Sequence, residues 1–253
     1  MAVLARAYGP STAVLLSSPS ILRTTSTTCS ATSSLFLSAS TRYRRSLRIL
    51  PVRTRRPASL QIRAARTEST SVSLGFRAPY FELPEPLTGK IVKLDDFEGH
   101  PALLVMFICN HCPFVKHLKK EITKLTRFYM TKDLAVVAIS SNSIITHPQD
   151  GPEFMAEDAK SFGYPFPYLF DESQEVARAF GAVCTPEFFL FKKDGRRPFE
   201  LVYHGQFDDS RPSNSLPVTG RDLSQAIDCV LSGQKLLMEQ KPSVGCSIKW
   251  HPS

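Results

Sequence analysis

The sequence predicts an α/β fold in which helices cover both faces of a central sheet. Two apolar runs, residues 102–108 and 134–140, have the length and composition of buried strands. Between them, residues 114–128 repeat apolar side chains at helical spacing, with charged side chains mostly on the opposite face. Strands that alternate with helices along a chain are typical of this fold class.

Flanking segments extend the pattern in both directions. Residues 81–83 and 91–94 predict an opening hairpin, and Lys193-Asp194-Gly195 predicts the turn of a later hairpin between residues 187–191 and 201–204. A short strand is expected at residues 168–170, with helices at residues 153–162, 173–180 and 219–231. Thr219 and Asp222 predict a capping box for the last helix.

The first 67 residues form a leader of distinct composition. They contain no Asp, Glu or Lys, but they hold eleven arginines in sequence rich in Ser and Thr. This composition is typical of an organelle transit peptide, and the apolar run at residues 13–16 is too short for a secretory signal. Met1-Ala2 and Ile62-Arg63-Ala64-Ala65 resemble a plastid peptide with cleavage after Ala64. We therefore predict a chloroplast protein, most simply of the stroma; the mitochondrion is the alternative, and a basic tail that binds nucleic acid is the third.

Beyond the leader the chain is slightly acidic. Eleven of its 31 basic residues lie in the leader, so 20 remain against 23 acidic residues, a net charge near −3. The formal charge of +8 on the whole chain therefore belongs to the leader, and no surface for nucleic acid or anionic lipid is predicted. No apolar run approaches the roughly 18 residues of a membrane-spanning helix, so no membrane association is expected.

A CxxC motif, Cys109-Asn110-His111-Cys112, lies between the first buried strand and the first helix. Two thiols at this spacing can form a disulfide, because the helix N-terminus and nearby cations stabilise a thiolate. A zinc site is disfavoured because no second CxxC or pair of histidines follows at ligand spacing. The motif therefore predicts redox chemistry without a metal or another cofactor.

Together with Cys184-Thr185-Pro186, which precedes a later strand, the motif resembles the thioredoxin-like superfamily. The resemblance covers residues 72 to about 235, and the opening hairpin, inserted helix and closing strand pair are similar to its peroxiredoxin-like branch, the redoxins of AhpC/TSA type. The segments CNHCPF, VCTPEFF and FDDSRP resemble the members described as thioredoxin-like, peroxiredoxin-like proteins. The resemblance implies a thioredoxin-like fold, with a central mixed β-sheet flanked by helices and an N-terminal hairpin extension.

The domain organisation follows from the leader and the extent of this resemblance. We expect a transit peptide at residues 1–64, a linker at 65–71, the redoxin domain at 72–235 and a C-terminal tail at 236–253.

The resemblance also implies roles for individual residues. Cys109 would be the nucleophilic thiolate, exposed at the start of the helix, and Cys112 the resolving thiol. A cationic His111 would lower the pKa of the nucleophile. Pro186 matches a cis-proline, and Thr185 before it would pair with an extended substrate.

The chain also departs from the residue patterns of ordinary thioredoxins and of peroxiredoxins. The strand LLVMFI lacks the buried Asp of ordinary thioredoxins, and Gly-Pro does not separate the two cysteines. The Pro and Thr that precede a peroxidatic cysteine are replaced by Ala102 and Met106 for Cys109, and by Val105 and Cys109 for Cys112. Efficient peroxidase chemistry therefore lacks its expected hydrogen-bonding partners.

The remaining cysteines carry open alternatives. Cys184 is either a third redox thiol or a small buried hydrophobe. Cys246 lies in a tail that either folds back with a resolving role or stays mobile. Cys229 is expected to be inert, and Cys29 leaves with the leader.

Two polar segments also have two interpretations each. The long loop from Gly205 to Gly220 either frames a substrate groove or is braced by an Asp–Arg pair. Basic side chains of the first helix either steer acidic partners or form a solvated face; these are Lys116, His117, Lys119 and Lys120.

The sequence thus predicts a plastid thiol-disulfide oxidoreductase, monomeric in its fold, that cycles Cys109 and Cys112 between dithiol and disulfide. Its partners would be protein disulfides and a plastid thiol electron donor, or small thiols and peroxides. One alternative is a thiol peroxidase in which Cys109 forms a sulfenic acid that Cys112 resolves. The other is a redox-sensing binding module without catalysis.

Overall fold

The computed structural model describes residues 66–70 and 72–252, all within one compact unit. The predicted transit peptide and its cleavage site after Ala64 lie outside the described residues. Within the described part, no helix is both long and apolar enough to cross a membrane.

Ten strands and four helices follow one another along the described chain. In order they are β1 (Arg66–Glu68), β2 (Glu82–Pro84), β3 (Ile91–Lys93), β4 (Ala102–Phe107), α1 (Pro113–Met130), β5 (Leu134–Ser140), α2 (Pro152–Phe162), β6 (Tyr168–Phe170), α3 (Glu175–Phe180), β7 (Cys184–Thr185), β8 (Glu187–Lys192), β9 (Glu200–Gly205), α4 (Arg221–Leu231) and β10 (Val244–Ser247).

The central sheet is mixed and has the strand order β6-β5-β4-β8-β9. Strand β4 runs parallel to β5, and β5 runs parallel to β6. Strands β8 and β9 run antiparallel to their neighbours. With helices on both faces, this arrangement is the predicted thioredoxin-like α/β fold.

Helices cover both faces of this sheet because β4 is apolar at every position. Leu104 and Met106 face a core that includes buried residues of α1, α2 and α4. Leu103, Val105 and Phe107 face a second core, which includes residues of α3 and of the opening segment. All five side chains are fully buried, as expected of a strand covered on both sides. The end of β4 is therefore rigidly placed in the centre of the sheet.

Both predicted hairpins are present. Strands β2 and β3 pair antiparallel through Leu83 and Val92, which confirms the N-terminal hairpin extension. Strands β8 and β9 form the second hairpin.

The predicted capping box of α4 is wrong. The helix begins after Gly220, whose φ of 64° lies in the left-handed region and which has no side chain to act as a cap. The hydroxyl of Thr219 accepts a hydrogen bond from the backbone N–H of Arg221 at 3.3 Å, but Asp222 does not complete a capping box. The buried Asp208 carboxylate instead accepts hydrogen bonds from the backbone N–H groups of Thr219 and Gly220. Asp222 accepts from Gln206 rather than from the backbone at the start of the helix. Asp208 of the preceding loop thus holds the two residues that lead into the helix.

The predicted linker and tail belong to the fold. Strand β10 lies between β1 and β7 in a small antiparallel sheet, with Cys246 opposite Arg66 on one side and Thr185 on the other. Parts of the segments predicted as linker and tail, Arg66–Glu68 and Val244–Ser247, are therefore paired strands. The three strands are two to four residues long, too short to show an alternating pattern in the sequence.

The basic face of α1 is only partly solvated. Lys116 and Lys120 are exposed, but Lys119 is buried and contacts Asp158 at 2.6 Å. The ring of His117 hydrogen-bonds the hydroxyl of Ser210. Neither a continuous charged surface nor a simple solvated face describes this helix.

Candidate active site

The two cysteines of the motif lie where β4 passes into α1. Cys109 follows the end of the strand by two residues, and Cys112 is the N-cap residue of the helix. Pro113 occupies the first helical turn, where its missing N–H leaves no hydrogen bond unmade. The sequence therefore places both thiols at the positive end of the helix dipole.

The prediction that Cys109 is exposed is wrong. Cys109 is 1% exposed and Cys112 is fully buried. The Sγ atom of Cys109 lies 3.3 Å from Oγ1 of Thr185 and 3.7 Å from Nδ1 of His111. These two polar neighbours close around the sulfur, so a substrate reaches it only after a covering group moves.

Thr185 contacts both thiols of the motif. Its hydroxyl faces Cys109, and its carbonyl oxygen accepts a hydrogen bond from the Sγ atom of Cys112 at 3.1 Å. The peptide bond between Thr185 and Pro186 is cis. The structure thus brings four of the residues assigned to the site together at the end of β4: Cys109, His111, Cys112 and Thr185.

The backbone edge of Thr185 is already paired. Cys246 of β10 lies opposite Thr185 in the antiparallel register, at the position where an extended substrate was expected. A substrate can use this edge only when β10 leaves it. The predicted contact between Thr185 and a substrate is therefore replaced, in this state, by a contact within the chain.

A buried carboxylate, Asp150, supports the loop between the thiols. It accepts hydrogen bonds from the backbone N–H groups of Asn110 and His111 at 2.8 and 3.0 Å, from the amide of Asn142 at 2.9 Å, and from Nδ1 of His111. Burial opposes its charge, but these donors outweigh burial and hold the pKa of Asp150 below its usual value. Asp150 is therefore a charged group in the site.

The sequence analysis missed Asp150. It belongs to a short 3-10 turn, Pro148–Asp150, that lies 40 residues after Asn110. Nothing in THPQDG distinguishes this residue from an ordinary loop aspartate. A buried acidic group near the thiols is thus supplied by a loop, whereas ordinary thioredoxins supply it from a strand.

The pKa values of the two thiols of the motif shift in opposite directions. Burial raises the pKa of Cys109, and its hydrogen bond with Cys112 and the nearby Asp150 carboxylate act in the same direction. Burial also opposes charge on Cys112, but its hydrogen bonds with Cys109 and Cys246 and with the Val115 backbone outweigh burial and lower its pKa below the usual range. Of the two thiols, Cys112 is therefore the more easily ionised, and the expected lowering of the Cys109 pKa is not observed.

The predicted role of His111 also changes. Its Nδ1 atom, which faces Cys109, is the same atom that pairs with the Asp150 carboxylate. A proton on this nitrogen is therefore shared with an acid rather than reserved for the sulfur.

The remaining buried cysteines differ in their surroundings. Cys246 Sγ lies 2.9 Å from Cys112 Sγ, whereas Cys184 Sγ contacts the carbonyl oxygen of Pro186 at 3.9 Å. Burial, followed by the nearby Glu187 carboxylate, raises the pKa of Cys184. Cys229 lies half-buried on α4.

Three groups of the site also have the chemistry of metal ligands. The ligand atoms of Cys109, His111 and Asp150 lie within 4.8 Å of one another, and they are the one such cluster among the described residues. Both oxygens of Asp150 already accept two hydrogen bonds each, which fills the acceptor capacity of a carboxylate. The geometry therefore favours a hydrogen-bonded network over a metal centre.

Two depressions border the site. A small cavity is lined by Pro186 of the cis peptide, by Phe114 of α1 and by Gln206, Phe207 and Arg211 of the long loop. On the other side, a cleft of about 350 Å³ runs past Asn110 and His111.

The long loop is both braced and positioned at the site. Arg211 donates hydrogen bonds to the carbonyl oxygens of Asp208 and Ser210 and to the side chain of Gln206. The loop is thus braced by Arg211 through backbone carbonyl oxygens and Gln206 rather than through an aspartate carboxylate, and its role in framing a substrate groove stays a prediction.

Comparison with known proteins places this geometry in a family. The AhpC/TSA family matches residues 74–196. A conserved protein from Geobacillus kaustophilus, solved but uncharacterised, is 49% identical; the match covers 75% of this chain and 98% of that one, with a TM-score of 0.71. A hypothetical protein from Sinorhizobium meliloti 1021 is 48% identical, with coverage of 74% and 100% and a TM-score of 0.71.

A curated relative adds an activity to the comparison. The thiol-disulfide oxidoreductase ResA of Geobacillus thermodenitrificans is 28% identical over 130 residues, which cover 51% of this chain and 70% of the relative. The fold and the thiol pair at the start of α1 define a thioredoxin-like protein of the redoxin type. Within that class, residues 74–196 match the AhpC/TSA family.

Proposed function

We propose that the protein is a thiol-disulfide oxidoreductase whose reacting pair is Cys109 and Cys112. The observation that carries the proposal is the position of both sulfurs at the N-terminus of α1, each in contact with Thr185. The activity of the ResA relative supports the same reaction class.

The reaction has two exchange steps. Cys109 gives up its proton and attacks one sulfur of a substrate disulfide; the substrate S–S bond breaks, and its other sulfur leaves with that proton as the first substrate thiol. Cys112 then gives up its proton and attacks the Cys109 sulfur; the Cys109–Cys112 disulfide forms, the mixed disulfide breaks, and the second substrate thiol leaves with that proton. Two electrons pass to the substrate, and a thiol donor returns them to the protein.

The assignment of Cys109 as nucleophile rests on its position at the edge of the site. It lies beneath His111, whose side chain is 16% exposed, whereas Cys112 lies between Thr185 and Cys246 in the interior.

A redox titration combined with turnover tests this proposal. The full-length chain, with Cys29→Ser to remove the leader thiol, is equilibrated at graded ratios of reduced to oxidised glutathione, alkylated and mapped by mass spectrometry. Reduction of a peptide disulfide is then followed with dithiothreitol as donor. We expect a reversible disulfide that includes Cys112 and loss of turnover in Cys109→Ser, with turnover retained in the control Cys229→Ser.

If no disulfide that includes Cys112 forms at any ratio and the peptide disulfide is not reduced, the proposal fails. A redox-sensing binding module without catalysis is then the better description.

A thiol peroxidase is the second candidate, and the match to the AhpC/TSA family favours it. In this reaction Cys109 is oxidised to a sulfenic acid by a peroxide and Cys112 condenses with it, releasing water. Consumption of peroxide that depends on Cys109 separates this candidate from the first.

The proposed location is the chloroplast stroma, with the mitochondrion as the alternative. The support is the leader, which lacks acidic residues and Lys and is rich in Arg, Ser and Thr. Residues 1–67 fused to a fluorescent protein are expected to be imported by isolated chloroplasts and shortened there. Import by mitochondria alone, or by neither organelle, overturns the assignment.

A further inference from the structure

The C-terminal strand brings a third buried thiol to the reacting pair. Cys246 is 1% exposed and Cys112 is fully buried, and their sulfurs lie 2.9 Å apart. Because a disulfide joins sulfurs about 2.0 Å apart, the two atoms need to approach by only about 0.9 Å. Cys246 is therefore within reach of a bond to Cys112 without a change of fold.

The backbone of β10 is built to hold Cys246 in this place. A Cβ atom on Gly245 would lie 2.0 Å from the carbonyl oxygen of Thr185, so this close approach requires glycine. On the other side of the strand, Cys246 pairs with Arg66 of β1. Strand β10 is thus fixed between two neighbours, and its close contact lies at the residue that touches both thiols of the motif.

Anchors on both sides of β10 keep the strand in register. The buried hydroxyl of Ser243 donates a hydrogen bond to the carbonyl oxygen of Gly205 at 2.8 Å. Beyond the strand, the backbone N–H of Lys249 donates to the side chain of Asn142 at 2.8 Å, and its carbonyl oxygen accepts from Ser143. The position of the Cys246 sulfur is therefore set by the whole C-terminal segment.

From this geometry, and resting on the proposed function, we propose that Cys246 is a third redox thiol that takes over the disulfide from Cys109. Starting from the Cys109–Cys112 disulfide, the Cys246 thiolate attacks the Cys112 sulfur. The Cys112–Cys246 bond forms, the Cys109–Cys112 bond breaks, and Cys109 leaves as a thiolate that receives the proton given up by Cys246. The number of disulfides is unchanged, so the step needs no further oxidant or reductant.

The charges around Cys246 suit this order of events. In the dithiol state its pKa is raised, first by the hydrogen bond with Cys112 and then by burial, while Lys249 acts in the opposite direction. Once Cys112 is part of a disulfide it carries no charge, so it no longer opposes ionisation of Cys246. The favourable charge of Lys249 remains, so Cys246 becomes a better nucleophile only after the first disulfide has formed.

The exchange has two consequences for the site. Cys109 is returned as a free thiol, while the oxidising equivalent is stored in a buried bond between α1 and β10. The same bond fastens β10 over the Thr185 edge, where an extended substrate would otherwise pair.

Disulfide mapping with time tests the proposal. The full-length chain with Cys29→Ser is reduced, oxidised with glutathione disulfide, quenched with acid at graded times, alkylated and mapped. We expect the Cys109–Cys112 peptide first, followed by its loss as the Cys112–Cys246 peptide rises. Cys109→Ser should not form Cys112–Cys246, because the exchange starts from the Cys109–Cys112 disulfide, and Cys246→Ser should accumulate only Cys109–Cys112.

Two further variants sharpen the result. Cys229→Ser is the matched control, since this thiol lies on α4 outside the cluster, and it should give the wild-type map. Cys184→Ala tests the competing thiol and should also leave the Cys112–Cys246 peptide in place. The chain that carries only Cys29→Ser keeps every cysteine of the cluster, and its disulfide map tests the proposal by itself. The test therefore does not depend on whether a variant folds.

The disulfide map distinguishes failure of this inference from failure of the proposed function. A stable Cys109–Cys112 disulfide with no Cys112–Cys246 peptide at any time overturns this inference and leaves the proposed function intact. Crosslinking of Cys112 to Cys184 instead of Cys246 also overturns it. Absence of both the Cys109–Cys112 and the Cys112–Cys246 disulfides contradicts the proposed function as well.

Discussion

The buried carboxylate of Asp150 pairs with Nδ1 of His111, the same ring nitrogen that faces the sulfur of Cys109. A negative charge is thereby fixed behind a thiol that is expected to act as a nucleophile. The charge contributes to the raised pKa of Cys109, after burial and the hydrogen bond with Cys112. Asp150 thus restrains this thiol while it orders the loop between the two cysteines.

Replacing Asp150 by Asn should increase the reactivity of Cys109. The amide keeps the approximate shape but removes the charge, so the pKa of Cys109 falls and a larger fraction is thiolate at a given pH. We expect alkylation of Cys109 by iodoacetamide, followed by mass spectrometry, to be severalfold faster at neutral pH. Asp158→Asn is the matched control, since Asp158 contacts Lys119 instead. Unchanged or slower alkylation in Asp150→Asn contradicts the assigned role.

The same substitution should change the pH dependence of stability. The pKa of Asp150 is below its usual value in the folded protein, so the folded state binds fewer protons than the unfolded chain at mildly acidic pH. The stabilisation is present above the ordinary aspartate pKa and is lost as pH falls through the depressed value. In urea unfolding, the free energy of unfolding of the wild-type protein should therefore exceed that of Asp150→Asn at about pH 6, and the difference should shrink as the pH is lowered to about 3. Parallel stability curves would count against this interpretation.

Substitution of Gly245 by Ala should displace β10. The new methyl group would lie 2.0 Å from the Thr185 carbonyl oxygen, a backbone atom that cannot move aside easily. We expect a loss of about 1–3 kcal/mol in the free energy of unfolding. The Cys112–Cys246 peptide should decrease while the Cys109–Cys112 disulfide still forms.

Gly99→Ala provides the control for this experiment. Gly99 is exposed, and an added Cβ would meet nothing within 4 Å. Its stability should stay within about 0.5 kcal/mol of the wild type. If Gly245→Ala behaves like this control, the close approach of β10 to Thr185 is not required for the fold.

The sequence was sufficient to predict the central sheet and the helices that cover it, because these strands and helices have clear apolar patterns. Residues 134–140 and 168–170 were predicted with the bounds that the structure shows for β5 and β6. The cis peptide bond before Pro186 was also predicted, since the resemblance supplied it. These are features that either local periodicity or a motif can carry.

The sequence was not sufficient for the surroundings of the thiols. Asp150 reaches Asn110 across 40 residues through a loop, and Cys246 reaches Cys112 across 134 residues through a strand of four residues. No motif or residue spacing in the sequence predicts either contact. Cys109 is likewise covered by a residue 76 positions away, Thr185, and its burial raises its pKa, so its exposure and its pKa direction were predicted wrongly.

The buried contact between Lys119 and Asp158 should contribute to stability. Lys119 is 3% exposed, and its ammonium group also lies over the ring of Phe162. Lys119→Met keeps the apolar stem but leaves Asp158 without its cation. We expect a loss of about 2 kcal/mol in urea unfolding, less than the 3–5 kcal/mol of a fully buried pair, because Asp158 keeps the hydrogen bond from Tyr164.

Lys124→Met is the control on the same helix. Lys124 is 79% exposed and lies 3.5 Å from Glu121, so its loss should cost less than about 1 kcal/mol. Equal effects of the two substitutions would show that the buried pair adds nothing beyond the exposed one.

Peroxide should be a poor oxidant of the protein. The positions that would hold its oxygens relative to Cys109 carry Ala102 and Met106, both fully buried in β4 and without a hydroxyl group. The raised pKa of Cys109 also reduces the fraction of thiolate, the form that a peroxide oxidises. With dithiothreitol as donor, consumption of hydrogen peroxide by the wild-type protein should therefore equal that of Cys109→Ser, while reduction of a peptide disulfide is lost in the same variant. Peroxide turnover that depends on Cys109 and exceeds disulfide turnover would reverse the order of the two candidate functions.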